Sequence, residues 1–195
     1  EDGAETVMRA RPRDLVAALD TLLVEGMTDM DGAFSLGPTY GDDVLPDDPI
    51  AAMRRGGAIH KVPLIVGTNA DEGKLFTRFM KLLPTTEPAI ERLLAGAEPE
   101  ARQRITAAYP GYPRPAACVQ LGGDFAFGTA AWQIAEAHGQ HAPTYVYRYD
   151  YAPRTLHWSG LGATHATELL AVFDIYRTRF GAALTAAMDR RSALK

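Results

Sequence analysis

Two polar residues stand where the chain has just left an apolar run. Glu72 lies in Gly67-Thr68-Asn69-Ala70-Asp71-Glu72-Gly73, directly after Val62-Pro63-Leu64-Ile65-Val66. His165 lies in Gly160-Leu161-Gly162-Ala163-Thr164-His165-Ala166-Thr167-Glu168-Leu169, after the tyrosine-rich run from Tyr145 to Tyr151. A carboxylate on one strand-end turn and an imidazole on a later one are the supporting acid and general base of a nucleophile-activating triad. The acid holds the ring, and the ring takes a proton from an attacking hydroxyl.

The attacking group should lie upstream, because acid then base is the back half of the order nucleophile, acid, base. The chain has three serines, Ser35, Ser159 and Ser192. A nucleophile elbow needs Gly two residues before and two after the Ser, since the side chain stands on a cramped strand-to-helix turn. Ala33-Phe34-Ser35-Leu36-Gly37 lacks the first glycine, His157-Trp158-Ser159-Gly160-Leu161 lacks both, and Ser192 lies in a basic, helix-like tail. The single cysteine, Cys118, has no glycine elbow and reads as a small buried hydrophobe. The expectation is a chain that carries acid and base, with the nucleophile on an N-terminal part not included in it.

The elements that must hold this pair are legible in outline. Val62 to Val66 suits a strand buried on both faces of a parallel sheet. Thr144 to Tyr151 alternates, with tyrosines at 145, 147, 149 and 151, which is the period of a strand. Helical spacing predicts helices over Pro12–Glu25, Ile50–Arg55, Lys74–Leu83, Pro88–Ala95, Pro99–Tyr109, Thr167–Phe173 and Ala182–Leu194, and another that Asp124 caps and that runs to about Ala137. Met27 to Pro49 and Tyr109 to Pro115 read as loops rich in turn residues. Two strands among so many helices make a poor independent sheet. The fold class expected is therefore α/β with an incomplete sheet of few parallel strands, completed by strands from elsewhere.

Composition narrows the function. The formal net charge is −4, with both signs spread along the 195 residues, so a nucleic-acid partner is not expected. One cysteine excludes an intrachain disulfide and a thiolate zinc site. No apolar run reaches the roughly 18 residues of a membrane span. His60, His138, His141 and His157 lack metal-ligand spacing, and the acidic cluster Asp42, Asp43, Asp47 and Asp48 lacks a calcium-loop pattern. Gly160-Leu161-Gly162 lacks the third glycine of a dinucleotide fingerprint. No metal and no cofactor is expected.

Between about Asp42 and Phe173 the sequence resembles the type-B carboxylesterases, the α/β-hydrolases that include cholinesterases and bacterial para-nitrobenzyl esterases. The resemblance rests on Val44-Leu45-Pro46 with Asp48-Pro49, on Lys61 to Asn69 running into Asp71-Glu72-Gly73, on Gly123-Asp124-Phe125-Ala126-Phe127, and on Gly162-Ala163-Thr164-His165 with Glu168-Leu169 and Phe173. It implies that residues 1–195 are the C-terminal part of one hydrolase domain, that Glu72 and His165 are triad members, and that the substrate is a small ester. It implies that the N-terminal part of that domain supplies the serine and oxyanion hole. Ala166 departs from the family, which usually has Gly after the histidine. Glu168 reads either as a hydrogen-bond partner behind the pair or as a first-turn helix acid. Phe76, Phe79, Phe125 and Leu161 are candidates to line a substrate pocket or, equally, to pack the core. The competing function is a non-catalytic binding or adhesion module on the same fold, which loses triad residues and keeps the scaffold.

Overall fold

A computed structural model describes residues 3–29, 39–56, 60–78 and 82–185. Within them β1 (Leu64–Asn69) and β2 (Thr144–Tyr149) pair in parallel, Leu64 opposite Thr144 and Asn69 opposite Tyr149. Their order makes them direct neighbours, although the chain between them is long and its described elements are all helices. β1 begins and ends later than the apolar run suggests. Pro63 has no N–H to give a ladder, so pairing starts at Leu64, whose N–H bonds Pro143 O at 2.9 Å.

The helices are α1 (Gly3–Arg9), α2 (Pro12–Asp29), α3 (Pro49–Arg55), α4 (Lys74–Arg78), α5 (Glu87–Leu93), α6 (Pro99–Ala107), α7 (Pro115–Gly123), α8 (Thr129–Gly139), α9 (Arg154–Trp158), α10 (Leu169–Val172) and α11 (Arg179–Leu184). α2 runs past the expected end at Glu25, through Gly26 to Asp29, since a glycine costs only about 1 kcal/mol inside a helix. α3 follows its local signals closely. Asp48 accepts the Ala51 N–H at 2.7 Å, Pro49 opens the first turn, and Gly56 closes the helix at φ 69°. Asp42 likewise accepts the N–H groups of Val44 and Leu45, so the acidic cluster is turn and cap chemistry.

Asp124 does not cap a helix. α7 runs into a π-helical turn, Asp124–Gly128, and on into α8, making one continuous rod. The Asp124 carboxylate instead accepts the Tyr109 hydroxyl at 3.1 Å. The segment 115–123 carries no polar face, and its buried face packs the largest described core cluster: Ile90, Leu94, Cys118 and Leu121, with Tyr109 and Tyr112 against it. Each large aliphatic side chain there contributes about 1.5–3 kcal/mol. Gly122 lets the helix approach Pro84 so closely that a Cβ would lie 2.4 Å from the Pro84 carbonyl oxygen.

The sheet itself is only half covered. α8 packs on the face bearing Val66 and Val146, and His138 on that helix bonds Val62 O at 2.8 Å. The other face carries Ile65 at 71% exposure and Tyr145 at 60%. Parallel sheets elsewhere are covered on both faces. Past the strands, Tyr151 and Tyr176 meet edge to face at 6.2 Å, and Tyr176 is fully buried.

Candidate active site

The acid-bearing and base-bearing turns are joined edge to edge. The parallel ladder continues past the strands as Ala70 N–H to Tyr149 O at 2.9 Å, then as an isolated bridge between Asp71 and Thr164. Asp71 N–H bonds Ala163 O at 2.9 Å, and the Asp71 carboxylate accepts the Ala163 N–H at 3.1 Å. Thr164 Oγ1 accepts the Leu75 N–H at 2.9 Å, which ties the base turn to the start of α4. Gly162, at φ 61°, permits this approach: a Cβ there would sit 2.1 Å from Asp71 Oδ2. Asp71 is thus the clasp between the two turns.

The clasp brings Glu72 and His165 together. His165 Nδ1 and Glu72 Oε2 are 2.7 Å apart. Glu72 is 7% exposed and the His165 side chain 38%. Glu72 Oε1 accepts two bonds from Asn69, from the backbone N–H at 2.7 Å and from Nδ2 at 3.2 Å. Among the described residues the His165 Nε2 makes no hydrogen bond, so the second nitrogen is the one open to a reacting group.

The electrostatics follow from these contacts. Burial pushes the Glu72 carboxyl up, but the hydrogen bonds from His165 and Asn69 outweigh it and hold the group below its ordinary value. The same hydrogen bond, donated by His165 to Glu72, raises His165 above its ordinary value against burial, with the Glu72 and Glu168 charges adding to the rise. For Glu72 the stabilisation is complete above the ordinary 4.5 and is lost as pH falls through its lower folded value. For His165 it is complete below the ordinary 6.5 and is lost as pH rises through its higher folded value. These are two ends of one interaction. The difference in urea midpoint between the wild-type chain and His165→Ala is expected to be greatest at about pH 5–6, shrinking on both sides.

Two aromatic rings fix the imidazole plane. Phe127 stacks on it at 4.5 Å and 27°, and Phe76 tilts against it at 5.4 Å. Phe127 sits on the π turn, whose wider loop is closed by the Thr129 N–H on Asp124 O; such turns often occur at functional sites. The rod meets the acid turn backbone to backbone. A Cβ at Gly123 would lie 2.6 Å from Gly73 N, and one at Gly73 would lie 2.2 Å from Val119 O.

The sequence-based candidates divide as follows. Glu72, His165 and Phe76 meet. Glu168 lies one residue before α10 and its carboxylate accepts from Asn69 Nδ2, so it reaches Glu72 through that amide. Phe125 is 47% exposed and makes no ring contact with His165 among the described residues; Phe127, two positions on, does. Leu161 is half-buried and its N–H closes a turn on Leu156 O. Phe79 lies outside the described residues, as do Ser35 and Ser192. Ser159 is occupied in bonding Leu156 O at 2.9 Å. Cys118 is buried, its thiol bonds Pro113 O at 3.3 Å, and burial pushes that thiol up, away from thiolate chemistry. Asn69, Thr164, Phe127 and Gly123 were not singled out, because nothing in their spacing tells which partners the fold gives them.

Ala166 stands at φ 66°, in the left-handed region. The methyl group costs about 1–2 kcal/mol there relative to the right-handed form, a cost that glycine escapes. Among the described residues, two hollows adjoin the sheet. One of about 950 Å³ is lined by Tyr109, Trp132 and Arg148; the other, of about 450 Å³, touches Glu72. Neither includes His165, which sits on an open face. No group of three acidic, His or Cys side chains is arranged to hold a metal among the described residues, and no described helix is long and apolar enough to cross a membrane.

The chain is 30% identical over 166 residues to the para-nitrobenzyl esterase of Bacillus subtilis (strain 168), covering 82% of this chain and 32% of that protein. It is 32% identical over 143 residues to the fumonisin B1 esterase of Sphingopyxis macrogoltabida, covering 71% of this chain and 25% of that protein. It therefore spans between a quarter and a third of the length of these relatives. Two solved PNB esterase structures, one of them thermophilic, superpose with TM-scores of 0.66 and 0.63 at 23% and 24% identity. They cover 93% and 95% of this chain and 36% and 35% of theirs. That likeness shows the fold, an α/β-hydrolase, of which these strands and helices form a part. Residues 2–191 match the Carboxylesterase family, and the chain belongs to it.

Proposed function

We propose that this chain supplies the general base and its supporting acid to a serine hydrolase of carboxylic esters. The observation that carries the reading is the 2.7 Å contact between the buried Glu72 carboxylate and His165 Nδ1, with Nε2 left open. In the reaction, His165 Nε2 takes the proton of a serine hydroxyl as the oxygen attacks the ester carbonyl. The same nitrogen then gives that proton to the leaving alcohol. Glu72 keeps the proton on Nδ1 and stabilises the imidazolium that forms. Family membership and two esterase relatives favour ester hydrolysis.

The serine and the oxyanion donors come, on this reading, from the N-terminal part of the same hydrolase domain, of which residues 1–195 form the C-terminal part. Its strands would pair beside β1 and β2, and its layers would cover the bare face of Ile65 and Tyr145. A binding module on the same fold has no need of a joined acid and base.

The test is hydrolysis of a para-nitrophenyl ester. This chain alone is expected to show turnover no greater than background, since on this reading both the serine and the oxyanion donors lie on the other part. The hydrolase domain carrying both parts is expected to turn over and to lose activity when the pair is altered. Full activity of the chain alone, or indifference of the whole domain to the loss of His165, defeats the proposal.

A further inference from the structure

We infer that Asn69 is a positioning residue: its single side-chain amide bridges two carboxylates, Glu72 and Glu168, and so holds the Glu72 carboxylate by one oxygen and draws part of its negative charge away from His165. The inference rests on the proposed roles of Glu72 and His165. Asn69 is the last residue of β1 and is 5% exposed. Its Nδ2 donates to Glu72 Oε1 at 3.2 Å and to Glu168 Oε2. Its backbone N–H donates to the same Glu72 Oε1 at 2.7 Å. Among the described residues its Oδ1 has no hydrogen-bond partner.

The amide has only one workable orientation. Turned over, Oδ1 would face two anionic oxygens and both donors would be lost. In the orientation observed, both bonds to Asn69 fall on Oε1, which leaves Oε2 free for His165 Nδ1. The carboxylate is thereby pinned at one oxygen and aimed with the other. The shared donor also lies between the two acids, where like charges would otherwise repel and push one of them toward protonation. Glu168 comes from the base turn and Asn69 from the acid strand, so the amide is a further tie between the two turns beside the Asp71 clasp.

The sign of a pH effect separates this donation to the Glu72 anion from mere packing. Removing the donor leaves Glu72 less satisfied and a stronger pull on the imidazolium, so the base holds its proton to higher pH. A third carboxylate does so more strongly. Loosened packing would separate Glu72 from His165 and move the same limb the other way.

The experiment compares Asn69→Ala, Asn69→Asp and His165→Ala in the hydrolase domain carrying both parts, with para-nitrophenyl acetate. Asn69→Ala is expected to lower kcat about 10-fold, since the backbone donor remains, and Asn69→Asp about 100-fold, with KM within about twofold. In both the acid limb of kcat/KM is expected to move to higher pH. The ¹³C carboxyl titration of Glu72 should move up as well. Should Asn69→Asp fail to fold, as judged by circular dichroism, Asn69→Ser takes its place; its shorter donor cannot reach both acids, and the same shift in the limb is expected. An unmoved or lowered limb, in a domain that His165→Ala silences, overturns the role of Asn69 alone. Turnover unaffected by His165→Ala overturns instead the proposed function.

Discussion

On the proposed function, His165→Ala is expected to lower kcat for a para-nitrophenyl ester by about 10⁴-fold or more in a hydrolase domain carrying both parts. The magnitude follows from what the ring does. On the proposed mechanism it makes the hydroxyl a nucleophile and protonates the leaving alcohol, and among the described residues no neighbour of the ring is placed to do either. Its flanks are Phe76 and Phe127, which have no titratable group, and Glu72 is buried behind it. The effect appears in kcat rather than KM, because the imidazole acts in the transition state more than on the bound ester. Glu72→Gln should cost a similar order. A Gln keeps the shape but lacks the anion, and it can present an N–H to Nδ1, forcing the wrong tautomer onto the ring. The two losses are not additive, since acid and base act as one unit. A double variant no worse than the worse single one is therefore expected. Steady-state kinetics on the three variants check this. A loss below tenfold for His165→Ala means that another group is the base.

Gly123→Val destabilises the fold by about 2–4 kcal/mol and carries Glu72 away from His165. The side chain has nowhere to go. Even a Cβ would lie 2.6 Å from Gly73 N, 3.0 Å from Gly73 Cα and 3.4 Å from Glu72 Cβ. The nearest atoms are backbone, so relief requires the rod or the acid turn to move as a unit. The turn is the less anchored of the two, since the rod is pinned by the cluster of Ile90, Leu94, Cys118 and Leu121. For a chain of this size 1 kcal/mol moves Tm by about 2–4 °C, so a fall of roughly 4–16 °C is expected. Catalysis should fall further than stability alone accounts for, at temperatures where the variant is still folded. Gly123→Ala is the milder companion and should show the same order of effects. Scanning calorimetry with parallel kinetics measures both. A variant with unchanged Tm shows that the contact yields more easily than backbone packing permits.

How much was legible beforehand differs from element to element. The helix α3 was readable because each of its signals is local: Asp48 to cap, Pro49 to start, Gly56 to stop. β2 was readable because alternation is a property of neighbours in sequence. α7 was missed because its residues Ala116-Ala117-Cys118-Val119-Gln120-Leu121-Gly122-Gly123 show no polar face, and two glycines argue against a helix on propensity alone. Burial against α5 and close approach to Pro84 override that weak preference. The π turn was invisible for the same reason; nothing within Asp124–Gly128 distinguishes a wide turn from an ordinary one.

The pair itself belongs to the sequence. A glutamate after one apolar run and a histidine after a later one, in that order and inside segments that resemble a hydrolase family, single out the two residues as candidates for acid and base. Their meeting does not belong to it. The 2.7 Å contact requires the parallel register of β1 with β2, the Asp71 clasp on Ala163 and a glycine at 162 that allows it. Which phenylalanine touches the base, which amide aims the acid and which glycine admits the rod were likewise decided only on folding. Residue type and local spacing determine what a side chain is able to do. What it faces depends on contacts between segments distant in the chain, and those are set by register and close packing, which no short stretch of sequence records.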